Sequence, residues 1–393
     1  MTDTAEMLAR LVAFNTTSSR SNLELINFVQ EHLVGAGATV RRVCKPSGRK
    51  AALHAVIGNP GAGGLAFSGH VDTVPVEGQR WCSDPFRLRE EGGKLFGRGV
   101  VDMKGFVASC LAAVPDLVAM HLPRPVHLFI SYDEEVDASG ARRLVEEIGS
   151  AGWKPDLCIV GEPTGMAPVV AHKGKLVARG TAKGLSGHSS QPSLGVNAVH
   201  AAARAVAWAA SLAERHEACG RFDIGFDPPH TTVHVGAMQG GTTVNIIPAE
   251  AGFVMEWRTV PGDEAMAELD EMRRHIAAAI EPAMKAVDPG AGVELLAECW
   301  YPELSLDPAH PLVDLVRAAG PTGPVGKVSY ATEAGVFQDA GIPTLVCGPG
   351  SIAQAHKPDE WIARSELDAC DRFIREAARR FGQSNSVPRE ASR

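Results

Sequence analysis

The sequence predicts an α/β protein with a second, α+β unit inserted into it. Two observations predict the first part. Apolar runs at residues 64–67, 126–132 and 157–160 read as buried strands, they alternate with amphipathic helical stretches, and each ends on a cluster of polar residues. A site at the carboxyl edge of a sheet is the arrangement this pattern favours. The third observation is a change of texture from Gly174, where longer strand runs and alanine-rich helices take over before the first pattern returns near Leu304. A chain of 393 residues is long enough for two such units. The predicted bounds are 1–173 for the first part of the catalytic domain, 174–303 for the insertion, 304–383 for the second part, and 384–393 for a polar tail.

In chain order, residues 7–14 and 23–34 read as helices, the second opened by Ser21 as a cap and closed by Gly35 and Gly37. Strands follow at 39–44 and 51–57. Glycines 58, 61, 63 and 64 form a turn; they do not spell a nucleotide-binding loop and no helix follows them. A glycine-dense loop at 96–105 leads into a helical segment at 106–120, where Pro115 predicts a kink or break. The strand at 126–132 runs into Asp133, Glu134 and Glu135, and the one at 157–160 into Gly161, Glu162, Pro163 and Thr164. Inside the insertion, 176–181, 230–235 and 251–258 read as strands and 198–217 and 265–286 as long helices. A helix at 311–319, a short strand at 344–347 and a closing helix at 364–381 complete the chain. There is no internal repeat.

Composition narrows the function. A net charge of −8 without a basic stripe argues against nucleic acid or an anionic membrane surface as partner. Eight cysteines without a Cys-x-x-Cys pair make neither a zinc finger nor a disulfide framework, and suit a reducing cytosol. No signal segment is visible and no apolar run approaches the ~20 residues of a membrane span, so a cytoplasmic location is expected.

The chemistry gathers around His70. Side chains two apart on a strand share a face, so His70 and Asp72 are delivered together, a common pairing of metal ligand and orienting carboxylate. His70, Asp102, Glu134, Glu135, Glu162 and His356 all fall at strand ends or in loops beside them. Carboxylates crowded on one sheet edge repel unless cations neutralise them, and histidines with carboxylates are a ligand set that suits two Zn²⁺ ions. A serine nucleophile is set aside: Gly184-Leu185-Ser186-Gly187-His188 ends on histidine where a nucleophile turn needs glycine, and no buried strand leads into it.

Five ordered stretches then carry a resemblance: Ser-Gly-His-Val-Asp-Thr-Val-Pro at 68–75, Gly-Arg-Gly-Val-Val-Asp-Met-Lys-Gly at 97–105, Asp-Glu-Glu at 133–135, Gly-Glu-Pro-Thr at 161–164, and Gly-Pro-Gly-Ser-Ile-Ala-Gln-Ala-His-Lys-Pro-Asp-Glu at 348–360. Together they resemble the di-zinc deacylase and peptidase family, whose members include acetylornithine deacetylase, succinyl-diaminopimelate desuccinylase, aminoacylase and glutamate carboxypeptidase. The resemblance implies a zinc-peptidase-like catalytic domain, with a mixed sheet flanked by helices, and a ferredoxin-like inserted domain that serves as lid and dimerisation module. It implies that His70 and Glu162 hold one zinc, Glu135 and His356 the other, and Asp102 bridges both, with Co²⁺ or Mn²⁺ as possible substitutes. Asp72 would orient His70, and Glu134 would act as general base and then acid. His188 would reach into the site of the partner subunit of a homodimer to help hold the oxyanion, Asn245 would take a similar substrate-contacting role, and Arg258 would clamp a substrate carboxylate. Residues 329–352 look most like the acetylornithine deacetylase branch. That likeness implies a cytoplasmic enzyme of arginine biosynthesis acting on N2-acetylornithine, with Glu333 as the expected partner of the substrate ammonium. The alternatives are another N-acyl amino acid, such as acetylcitrulline or succinyl-diaminopimelate, or a zinc-binding scaffold without turnover.

Overall fold

The computed structural model describes residues 3–320 and 323–383, so the expected polar tail at 384–393 lies outside the described residues. The chain divides into two compact units. Among the described residues, the first comprises 3–171, 304–320, 323–327 and 332–383; the second comprises 172–303 and takes back residues 328–331, which the sequence assigned to the catalytic part.

The first unit is built on a nine-stranded mixed sheet. Its order is Thr39–Cys44, Ala51–Ile57, Val126–Ser131, Leu65–His70, Leu157–Pro163, Thr344–Gly348, Val169–His172 and Leu304–Ser305, with Gly326–Val328 alongside Val169–His172. The four central strands, from Val126–Ser131 to Thr344–Gly348, run parallel and are buried at every position. Such continuous apolar runs are what a sheet covered on both faces requires. Helices Thr4–Ala13, Leu23–Gly35, Lys104–Ala119 and Arg364–Gln383 form one covering layer, and Ser139–Ala151 and Ala334–Asp339 pack against the sheet as well. Two glycines permit close packing: a Cβ on Gly161 would lie 2.0 Å from the ring of Phe106 in helix Lys104–Ala119, and one on Gly348 would lie 2.0 Å from the Gly161 carbonyl oxygen of the neighbouring strand.

The helix Lys104–Ala119 runs through Pro115 without the expected break. Proline cannot donate to the carbonyl four residues back, which is that of Leu111. His32 Nε2 donates to that carbonyl instead, at 3.0 Å, so the freed acceptor keeps a partner and the helix continues. The helix Ser139–Ala151 was not predicted; its buried face has only Leu144 and Ile148 as large apolar residues, too thin a stripe to read.

The second unit holds a four-stranded antiparallel sheet, ordered Thr232–Gly240, Glu250–Thr259, Gly174–Lys183, Gly292–Tyr301. With helix Ala198–Cys219 after the first strand and the helical segment from Ala265 after the third, the chain order is βαββαβ, the ferredoxin-like arrangement. The helix expected at 265–286 is interrupted: Ala265–His275 passes into a π-turn at Ile276–Ile280 and then Glu281–Lys285. Pro282, which has no N–H to donate, sits just beyond that widened turn. The strand Gly292–Tyr301 was missed, and only five of its ten positions are even partly shielded.

Candidate active site

Four neighbouring parallel strands deliver the site from their carboxyl ends. Val126–Ser131 leads into the turn carrying Glu134 and Glu135, Leu65–His70 ends on His70, Leu157–Pro163 contains Glu162, and Thr344–Gly348 leads into the loop carrying His356. Asp102 joins them from the loop before helix Lys104–Ala119. Two triads result, His70 with Asp102 and Glu162, and Asp102 with Glu135 and His356, the ligand atoms of each lying within 4.8 Å of one another. Asp102 belongs to both. Its Oδ1 is 3.1 Å from His70 Nε2 and its Oδ2 is 3.1 Å from His356 Nε2, while Glu162 Oε1 is 3.5 Å from His70 Nε2 and Glu135 Oε1 is 3.1 Å from His356 Nε2.

His70 Nδ1 lies 3.1 Å from the carbonyl oxygen of Asp72 and 3.4 Å from its carboxylate. A carbonyl only accepts, so Nδ1 carries a hydrogen, and Nε2, which faces the Asp102 and Glu162 carboxylates and donates to Asp102, is the nitrogen whose proton a cation would displace. The Asp72 carboxylate has a second task. Its Oδ1 accepts the Glu134 N–H at 3.1 Å, and its Oδ2 accepts the Glu135 N–H at 3.2 Å and the Ser18 hydroxyl at 2.8 Å. One carboxylate thus fixes the strand-end histidine and the turn that presents both glutamates. That turn starts at Asp133, whose backbone has φ +58° and whose side chain is paired with Lys45 at 2.7 Å and with Lys50.

The electrostatics reflect crowded acids. Burial, then the charge of Glu162, pushes the Glu134 carboxyl well above its usual range; burial, then Asp102, raises Glu135 and lifts Glu162 to about 7. Burial opposes ionisation of Asp102 too, but hydrogen bonds from His356 and His70 outweigh it and hold that carboxylate well below its usual range. Hydrogen bonds to Asp102 and Glu135 raise His356 to about 10. Three buried or nearly buried acids and two imidazoles therefore favour forms carrying protons that divalent cations would displace, and the N/O donor set, with the ionised Asp102 facing both triads, fits a pair of such ions.

The remaining candidates lie elsewhere. His188 and Asn245 are exposed in the second unit, brought together by the ribbon that pairs Gly187–His188 with Ile246–Ile247; Ser189 N–H donates to the Asn245 carbonyl at 3.2 Å. His188 Nδ1 accepts from Ser190, and Asn245 Oδ1 accepts the Thr243 hydroxyl. Arg258, in strand Glu250–Thr259, is held by Glu256 through two contacts of 2.9 Å. Glu333 is corrected. Its side chain is 0 % exposed, and its two oxygens accept the Ser68 and Ser131 hydroxyls at 2.6 Å each, so it is not open to a substrate ammonium. It ties together the ends of the strands that carry His70 and the Glu134–Glu135 turn.

Sequence reasoning gave no role to Ser18, Arg98, Lys104 or Glu360. Lys104 is fully buried and donates to the carbonyls of Leu11 and Phe14, anchoring the loop after Asp102 to the first helix. Glu360 closes the motif that begins at Gly348, but its partners are more than 250 residues away in sequence and leave no local pattern.

The profile of peptidase family M20/M25/M40 matches residues 66–380, which span every ligand candidate. The chain belongs to that family. It is accordingly a hydrolase of the peptidase and deacylase kind. It is 36 % identical to an acetylornithine deacetylase of Myxococcus xanthus over 389 residues, covering 95 % of this chain and 96 % of that protein. The fold matches an M20 family metallo-carboxypeptidase of Sulfolobus solfataricus (TM-score 0.77, 18 % identity, 98 % of this chain and 100 % of that one). It also matches the Bacillus subtilis YXEP protein, a dinuclear metal-binding peptidase of the M20 family (TM-score 0.66, 16 % identity, 97 % and 99 % covered). The mixed α/β sheet flanked by helices is therefore the M20 peptidase fold.

Proposed function

We propose that this chain is a cytoplasmic, zinc-dependent amidohydrolase that removes the acetyl group from N2-acetylornithine, giving ornithine and acetate for arginine biosynthesis. The observation that carries the hydrolytic part is the pair of triads sharing Asp102, with the buried Glu134 beside them. The M. xanthus relative, alike over nearly its whole length, supports the substrate.

His70, Asp102 and Glu162 would hold one Zn²⁺ and Asp102, Glu135 and His356 the other; together the ions would polarise the amide carbonyl and make water a stronger nucleophile. Glu134 takes the proton from the attacking water as its oxygen bonds to the acyl carbon, then passes that proton to the nitrogen as the C–N bond breaks. Asp72 keeps that base in place through the Glu134 N–H. Arg258 binds the substrate α-carboxylate, a bidentate task matched to a guanidinium that Glu256 already orients. His188 and Asn245 support the oxyanion from the partner subunit of a homodimer. Exposed apolar residues beside them favour such pairing: Val244 is 96 % exposed, and Ile246 and Met238 are open as well.

The burial of Glu333 favours a second reading, a deacylase for another N-acyl amino acid such as acetylcitrulline, whose side chain carries no ammonium. Turnover of zinc-loaded enzyme on N2-acetylornithine, acetylcitrulline, acetylmethionine and succinyl-diaminopimelate, each with a chelated control, decides between them. Fastest chelator-sensitive release of ornithine is the expected result. Preference for acetylcitrulline moves the second reading forward, and absence of turnover on all four sinks both.

A further inference from the structure

His356 stands on a loop, and nothing in the sheet ladder fixes its position; its backbone has φ +63° and its side chain is 51 % exposed. Four residues on, Glu360 turns inward and is almost fully buried. Its Oε2 accepts the Gly99 N–H at 3.0 Å, and its Oε1 accepts the N–H groups of Val101 at 2.9 Å and Asp102 at 3.3 Å. The same carboxylate meets Arg98 Nη1 at 2.8 Å, and that guanidinium is buried too. Arg98 reaches further, donating to Gln79 Oε1 at 2.6 Å and to the carbonyls of Lys357 and Pro75 at 3.4 Å. Gln79 Nε2 then donates to the His356 carbonyl at 2.9 Å. Three loops, at 71–79, 97–103 and 349–360, are thus joined through one buried ion pair, the last two also meeting where strand Lys94–Phe96 pairs with Trp361–Ala363 just beyond Glu360.

We propose that Glu360, with Arg98 and Gln79, is a positioning group that sets the distance between Asp102 and His356, and so tunes metal binding at the Asp102–Glu135–His356 triad in preference to the other. The inference rests on the two-ion reading above. The physical reason is the asymmetry of support. His70 is paired with Ser131 at the end of its strand and Glu162 lies within Leu157–Pro163, so both are carried by strands of the main sheet. His356 and Asp102 sit on loops, and Glu360 is the acceptor that both loops share, through the Asp102 N–H directly and through the peptide chain to His356. A buried ion pair whose acceptor also takes three backbone N–H groups holds one geometry, because any shift leaves a buried charge or donor unsatisfied.

The test is Zn²⁺ titration of the metal-free full-length enzyme against a competing chelator dye, resolving two binding steps. His356→Ala and His70→Ala assign which step belongs to which triad. In Glu360→Gln, the step abolished by His356→Ala is expected to weaken by about 10- to 100-fold, as for partners behind metal ligands elsewhere. The step abolished by His70→Ala stays unchanged. Equal weakening of both steps makes Glu360 a general structural residue, and no change in either removes its role; each overturns the proposal. Should Glu360→Gln not fold, as judged by circular dichroism, Gln79→Leu removes the link to the His356 carbonyl while leaving the ion pair, and the same selective weakening is expected. A parent enzyme that binds one ion only defeats the two-ion reading, and this inference with it.

Discussion

The two triads share a carboxylate and differ in what holds them. His70 closes a fully buried strand, and its ring is 0 % exposed between Asp72, Asp102 and Glu162. His356 stands half in solvent on a loop, opposite Asp102 and Glu135. One half of the site therefore inherits its geometry from the fold, whereas the other depends on side chains that clamp loops together. The first should resist perturbation and fail with the protein; the second should fail alone.

The largest expected effect belongs to Glu134, the buried carboxyl beside both halves. Glu134→Gln should lower kcat by about 10²- to 10⁴-fold, the usual worth of general acid–base catalysis, and leave both metal steps intact. Steady-state kinetics beside metal analysis of the same sample checks this, and near-normal kcat with full metal would remove Glu134 from the reaction. The contrast between the halves is drawn most directly by histidine deletion. Metal-free His70→Ala should lose on the order of 3–5 kcal/mol of stability, since it leaves buried carboxylates without their partner. His356→Ala, on the exposed side, should lose no more than about 1 kcal/mol. Urea unfolding of both proteins measures the difference, and equal losses would erase the distinction. Asp72→Asn comes next: an amide cannot accept at both positions, so the Glu134–Glu135 turn and the His70 ring loosen together. A drop of about 10- to 100-fold in affinity at the His70 step is expected from competitive titration.

A separate effect lies on strands away from the ligands. His54 Nε2–H donates to His127 Nδ1 at 2.9 Å and His127 Nε2–H donates to the Gly63 carbonyl at 2.8 Å, so both rings are neutral. Burial is the main cause that brings His54 down to about 3 and His127 to about 4. Between pH 6.5 and about 4 for His127, and on to about 3 for His54, the unfolded chain binds protons that the folded one does not, so stability falls as pH falls through those windows and levels off below them. Each ring contributes a slope of up to about 1.4 kcal/mol per pH unit. His54→Phe should flatten the profile measured by urea unfolding from pH 7 to pH 4; an unchanged slope would assign the acid sensitivity to other groups.

Much of this was legible in the chain itself. The strands at 39–44 and 51–57 appear with those bounds, because one is covered on both faces and both have turn residues at their ends. The candidate residues at strand ends and in the loops beside them were readable since ligand types recur where apolar runs stop, and the structure gathers five of the six, all but Glu134, into the two triads. Glu333 was misread for the converse reason: a carboxylate in a polar-looking stretch gives no hint that two serines from distant strands will enclose it. Pro115 misled similarly, because the histidine that takes over its missing partner lies 79 residues from the acceptor. Pairings across the fold, rather than local pattern, decide both positions.

The four adjacent strands also act as a ruler. Neighbours in a hydrogen-bonded ladder stand about 4.8 Å apart, and the strands cannot be spread without breaking the ladder. The reach between ligands can therefore be altered only in whole chemical increments at the strand ends, a glutamate shortened to aspartate or a histidine exchanged. Drift in the outlying loops can reshape what is admitted to the site while the spacing of the ligand candidates on the strands stays constant.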